Sequence, residues 1–127
     1  MSKEIVSTED APAAIGPYSQ AVVANGFVYA SGQIGIIPAT GRLVEGDIAA
    51  EARQALDNIE AVLKAGGSSL QKAVKVTVYL TDVNDFADVN AVYMKYFSET
   101  PPARACVGVA ALPLNARVEI EAVAVQD

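Results

Sequence analysis

Residues 48–80 read IAAEARQALDNIEAVLKAGGSSLQKAVKVTVYL, and the change of period inside them decides the fold. Ile48, Ala52, Ala55, Leu56, Ile59, Val62 and Leu63 recur at helical spacing and make one apolar face. Asp47 stands where it can cap the first turn, and Gly66-Gly67 where they can end the last, so the helix runs from 48 to 65. Glu51, Gln54, Asp57 and Glu60 are expected on its wet side. From Val74 the period drops to two. Val74, Val76, Val78 and Leu80 alternate with Lys75, Thr77 and Tyr79, which predicts a strand.

Working outward, Asn84 or Asp85 can cap a second helix, with Phe86, Val89, Tyr93 and Phe97 on its inner face and Pro101-Pro102 to stop it. Ala103 to Ala110 reads as a strand, 112–116 as a turn, and Arg117 to Val125 as the last strand. Upstream, Asn25-Gly26 between two apolar runs signals a hairpin joining 18–24 to 27–31, because both turn positions favour positive φ. Residues 3–7 can add a short edge strand; 10–17 and 32–41 read as loops. The order β-β-β-α-β-α-β-β implies an α+β fold, a two-layer sandwich of a mixed sheet with both helices on one face. The 127 residues fit one domain, 1–127.

Composition narrows the chemistry. Fifteen carboxylates against nine Lys and Arg, net charge −6, argue against general nucleic-acid binding. No stretch reaches the roughly 20 apolar residues of a membrane span, and the polar first ten residues lack the apolar stretch of a signal peptide, so a cytoplasmic address is expected. There is no histidine and one cysteine, Cys106, which removes zinc sites and Ser–His or Cys–His catalysis as usually built. No EF-hand, Walker A or dinucleotide-binding spacing occurs, so neither metal nor cofactor is expected. Any chemistry falls to Arg, Glu, Asp, Tyr, Ser, backbone groups and water. An apolar fraction of 52% is hard to hide in so small a domain and favours burial against further copies of the chain over the alternative, a tight core rich in Ala and Val.

Alternation then sorts the last two strands. Ala103, Ala105, Val107 and Val109 look suited to the core, which would put Arg104, Cys106 and Gly108 on the other face. Val118, Ile120, Ala122 and Ala124 match the core, leaving Glu119, Glu121, Val123 and Val125 outside. Arg104, Glu119 and Glu121 are therefore expected to share the face away from the helices. The guanidinium of Arg104 fits a carboxylate bidentately, either an internal glutamate or an incoming ligand. Tyr18 after Gly16-Pro17, Ser31-Gly32 at the hairpin end and Asn90 near the second helix's apolar stripe are each open to packing or turn roles as well as to lining a site.

Together these residues carry a resemblance. Residues 102–112 (PARACVGVAAL), then 113–117 and Val118-Glu119-Ile120, are similar to the signature of the Rid family, the reactive intermediate deaminases or YjgF-like proteins. AIGPYSQ (14–20), SGQI (31–34), QALDNI (54–59) and Asn84-Asp85-Phe86 through Asn90 extend the likeness over nearly the whole chain, nearest to the RidA subgroup. The family's usual phenylalanine before Pro-Ala-Arg is Pro101 here, a change that bears on the pocket wall. The resemblance implies a chorismate-mutase-like fold and homotrimers with clefts between subunits. It also implies hydrolysis of 2-iminobutanoate and 2-iminopropanoate to 2-oxo acids and ammonia. Carried over, Arg104 would hold the substrate carboxylate and Glu119 would position water. Gly32 and Cys106 would offer backbone N–H groups, and Tyr18, Ser31 and Asn90 would line the cleft. Two other readings stand beside it: an endoribonuclease or translation inhibitor, and a non-catalytic module binding small carboxylates.

Overall fold

The computed structural model describes residues 2–127. Helix α1 spans Ile48–Ala65 and opens as expected, with the Asp47 carboxylate accepting from Ala50 N–H at 2.9 Å. Gly66 follows α1, and Gly67 turns the chain at a φ of 83°. Helix α2 spans Phe86–Tyr96. The strands are β1 (Glu4–Val6), β2 (Ala21–Ala24), β3 (Phe27–Gln33), β4 (Ile36–Ile37), β5 (Arg42–Leu43), β6 (Ala73–Leu80), β7 (Ala103–Gly108) and β8 (Val118–Val125). Six of them form one mixed sheet in the order β1-β2-β3-β8-β6-β7. Asn25 and Gly26, both at positive φ, make the β2–β3 hairpin turn. The expected loop at 32–41 is in part strand, since β3 continues to Gln33 and β4 and β5 pair as a separate ribbon.

Both helices cover one face of the sheet. Leu56, Ile59, Val62 and Leu63 of α1 are fully buried, as are Val28, Leu80, Val118 and Ile120 of the sheet beneath. Val89, Val92 and Tyr93 of α2 and Phe97 just past its end complete the core. Phe86 was expected with them but is 37% exposed, at the open end of that stripe. Val74 likewise leaves the core, because the β6–β8 pairing shifts register between Ala73 and Lys75 and the alternation restarts at Val76.

The register of β7 reverses the face expected for Arg104. This strand is parallel to β6, with Arg104 beside Val76, Cys106 beside Val78 and Gly108 beside Leu80. Partners in register share a face, so Arg104 and Cys106 stand on the helix side with buried valines. Ala103, Ala105 and Val107 pair with Lys75, Thr77 and Tyr79 on the open side. Tyr79 in turn pairs with Glu119, and Thr77 with Glu121. Arg104 and the two glutamates therefore lie on opposite faces. The apolar alternation in β7 misled because this is an edge strand: its helix-side residues are only partly covered, so side-chain polarity does not report which side is core.

Glu51 is the second reversal. It is 2% exposed, not on the wet side. Its carboxylate accepts from the Arg117 backbone N–H at 2.9 Å and pairs with the Arg117 side-chain Nε. Arg117 Nη2 also donates to the Gly46 carbonyl at 2.7 Å. This latch ties the first turn of α1 to the root of β8, one residue before Val118. Asn58, 1% exposed, adds a second tie by donating to the carbonyls of Ile34 and Ile36 at 3.1 and 2.8 Å. The Arg117 side chain is 42% exposed and can turn to water, but its backbone N–H would lose its acceptor. Glu51→Ala is expected to lower unfolding free energy by about 2 kcal/mol in urea denaturation, with little change in slope.

Candidate functional site

The seven residues singled out from sequence gather into two groups. The first lies along edge strand β7 under α2. Arg104 Nη1 donates to Asn90 Oδ1 at 2.7 Å. Its guanidinium carbon stands 4.7 Å from the Tyr93 ring centroid and 5.2 Å from that of Phe86. Among the described residues no carboxylate approaches it within 4.0 Å, so the internal bridge to Glu119 or Glu121 is not formed. Among the described residues Nε and Nη2 have no hydrogen-bond partner. Cys106 is on the same face two residues along. Cys106 is exposed, and partial desolvation pushes its thiol up against a smaller opposite pull from the charge of Arg104. Its backbone is better placed than its sulfur. Val109 N–H bonds the Leu80 carbonyl at 2.8 Å, and by alternation the N–H groups of Arg104 and Cys106 point out from the free edge.

The second group lies on the open face around β8 and the end of β3. Glu119 is half-buried there, between Tyr79 of β6 and Gly32 of β3. A Cβ on Gly32 would overlap the Glu119 carboxylate, so a larger residue there would push that side chain from its place beside β3. The β3–β8 pairing shifts register between Ala30 and Gln33, which is the local irregularity that Ser31 and Gly32 occupy. Ser31 Oγ donates to the Ser19 carbonyl at 2.6 Å, and Ser31 N–H to that of Gln20 at 2.9 Å. This holds the β3 end against the stretch that follows Tyr18. The Tyr18 ring is 53% exposed, its hydroxyl accepting from Ile15 N–H at 3.3 Å. Gln20, 4% exposed, clamps the preceding loop by donating to the carbonyls of Thr8 and Pro12 at 3.0 and 2.7 Å.

Burial, and secondarily the nearby charge of Glu121, raises the Glu119 carboxyl above the ordinary carboxylate range. Tyr79 is raised too, by burial first and then by Glu121. Around these acids the open face is apolar: Tyr29, Val107 and Val125 are each over 40% exposed. Sequence reading placed Tyr79 in its strand but missed it as a neighbour of Glu119, since only the β6–β8 register brings the two together.

The two groups cannot meet one small ligand within one chain. At about 3.3 Å per residue and 4.8 Å between strands, the Arg104 and Glu119 backbones are roughly 14 Å apart, with side chains on opposite faces. Nor do the surface concavities join them. Those beneath Tyr96–Thr100, beside the 7–14 loop and along the helices are lined by neither residue. Among the described residues no cluster of three or more acidic or thiol side chains is placed to hold a metal ion, and no helix is long and apolar enough to cross a membrane.

Residues 8–126 match the family described as Endoribonuclease L-PSP. A Bos taurus protein named 2-iminobutanoate/2-iminopropanoate deaminase is 57% identical over 124 residues, which cover 98% of this chain and 90% of that protein. The crystal structure of YyfA, a Rid-family protein of Yersinia pestis, superposes with a TM-score of 0.95 at 51% identity, covering 98% and 99% of the two chains. TdcF of E. coli, solved with bound serine, superposes with a TM-score of 0.93 at 44% identity over 98% and 99%.

The electrostatics of the open face can be checked directly. In a carbon-detected NMR titration the Glu119 carboxyl is expected to lose its proton above the ordinary value of about 4.3. Glu121→Gln removes a negative neighbour, so the same titration should move down.

Proposed function

This chain belongs to the Endoribonuclease L-PSP family, which includes the Rid proteins, and on that premise we propose that it hydrolyses 2-iminobutanoate and 2-iminopropanoate to 2-oxo acids and ammonia. The observation that carries the reading is the free edge of Arg104. A guanidinium with one amide partner and, among the described residues, no carboxylate partner is ready for an organic acid. Near relatives bearing this activity in their names support the substrate class.

The site is assembled from two subunits. One chain supplies Arg104, Asn90 and the outward Cys106 N–H; its neighbour supplies Glu119, Gly32 and Ser31 from its open face, with Tyr18 at the rim. Apposing β7's edge with a neighbour's open face would also cover the bare apolar groups there. A contact between two different surfaces closes as a ring when its rotation divides the circle evenly, and a ring of three is the arrangement proposed.

Chemistry then needs little beyond placement. Arg104 fixes the substrate carboxylate and stays protonated throughout. The protonated imine carbon is electrophilic. Glu119 orients a water and takes its proton as the water oxygen bonds to that carbon, giving a carbinolamine. Glu119 returns the proton to the amine nitrogen, the C–N bond breaks, and ammonia leaves as the hydroxyl oxygen becomes the carbonyl and passes its proton to the Glu119 carboxylate, which releases it to water. A carboxyl raised by burial suits this exchange better than a fully solvated one. The nuclease in the family's description finds no support in a chain with no histidine and a net charge of −6. A binding module without turnover would use the same Arg104, and turnover separates the two.

Arg104→Ala and Glu119→Ala should each abolish the acceleration of ammonia release from dehydratase-generated imine. Unfolded together and refolded as an equal mixture, the two variants should regain about a quarter of wild-type activity, because random assembly joins an intact Arg104 to an intact Glu119 at one interface in four. No recovery in mixed assemblies would place both residues in one chain's site or exclude one of them from it. Wild-type protein no faster than buffer would reject the deaminase.

A further inference from the structure

Arg104 is exposed, on an edge strand, with a long side chain that solvent would leave mobile. Yet three residues of α2 hold it. Phe86, Asn90 and Tyr93 stand at i, i+4 and i+7, a single stripe facing β7. Asn90 takes one end of the fork, at Nη1. The two rings lie within cation–π distance of the guanidinium carbon, Tyr93 nearer than Phe86.

The two rings differ in kind. Tyr93 is 5% exposed and stacks on Phe97 with centroids 4.5 Å apart, so it cannot swing away. Phe86 is 37% exposed. The Tyr93 hydroxyl is buried and has no hydrogen-bond partner among the described residues. It therefore contributes no bond to Arg104, although the positive charge of Arg104 lowers its titration against the larger effect of burial. What Tyr93 offers is the face of a fixed ring.

We infer that Tyr93 is a positioning residue for carboxylate capture: its immobile ring, backed by Phe97, floors the Arg104 guanidinium so that the unpartnered Nε–Nη2 edge is presented to the ligand. This rests on the proposed carboxylate-binding role of Arg104. Phe86 closes the outer side and Asn90 sets the rotation about the fork. The ring is needed and the hydroxyl is not.

The test uses the intact protein, at a temperature well below the melting point of every variant. Tyr93→Leu should raise KM for the dehydratase-generated imine about tenfold while kcat stays within about threefold, the mark of weakened ground-state binding. Tyr93→Phe should recover KM to within about twofold. Binding of 2-oxobutanoate, followed by calorimetry, should weaken in the same order. If Tyr93→Leu fails to fold, Phe86→Leu at the exposed ring serves instead, with an expected rise in KM of about threefold. Unchanged KM in a folded leucine variant overturns the inference, and so does a phenylalanine variant as weak as the leucine one. A melting-temperature cycle of Tyr93→Leu with Arg104→Ala needs no substrate. The leucine substitution should cost less melting temperature when Arg104 is already gone, and strict additivity overturns the inference. A wild-type protein without turnover or ligand binding would sink the deaminase reading, while the melting cycle would still decide whether ring and guanidinium are coupled.

Discussion

The parallel pairing of β7 against β6 is the constraint from which the rest of the site follows. Side chains alternate across a sheet, so a shift of one residue in that pairing would move Arg104 to the other face. As paired, the guanidinium meets α2 and its rings, and the strand's outer N–H groups are left free along the sheet's edge. The antiparallel pairing of β8 with β6 and β3 sets Glu119 on the far side, beside Tyr79 and Gly32. Two strands with well-defined registers thus divide the candidate residues between two surfaces. A small ligand that needs both must find them on different copies of the chain.

Each surface carries its own electrostatic character. Around Arg104 the partners are neutral, an amide and two rings, which orient the cation without neutralising it. Around Glu119 lie apolar groups and a second carboxylate, which hold its proton more tightly than water would. A cation kept uncompensated and a carboxylate made more basic by its surroundings are complementary needs. Neither is what a surface shaped only for stability would favour, since an arginine beside a free glutamate is easily satisfied internally.

The scaffold behind these surfaces is held by a few buried polar ties as well as by the apolar core. Glu51 anchors the root of β8 through Arg117, and Asn58 anchors the end of β3 and the small β4–β5 ribbon. Both reach from α1 to segments adjoining the open-face group. The helix that organises the core therefore also fixes the strand ends between which Gly32 and Glu119 approach each other.

Much of this was written in local sequence. The period change between 48–65 and 73–80 specified helix then strand, because amphipathic spacing is a property of neighbouring residues. Asp47, Asn25-Gly26 and Pro101-Pro102 marked boundaries for the same reason. The motif residues Arg104, Glu119, Gly32 and Asn90 were legible as a set through their likeness to one family. What local pattern could not supply was the face of an edge strand. The valine and alanines of β7 read as core, and only its pairing with β6 shows that they line the bare side. Glu51 read as solvated, and only the arrival of Arg117, sixty-six residues later, explains its burial. Register and long-range ion pairs are relations between distant segments, so they exist only once the chain has closed on itself.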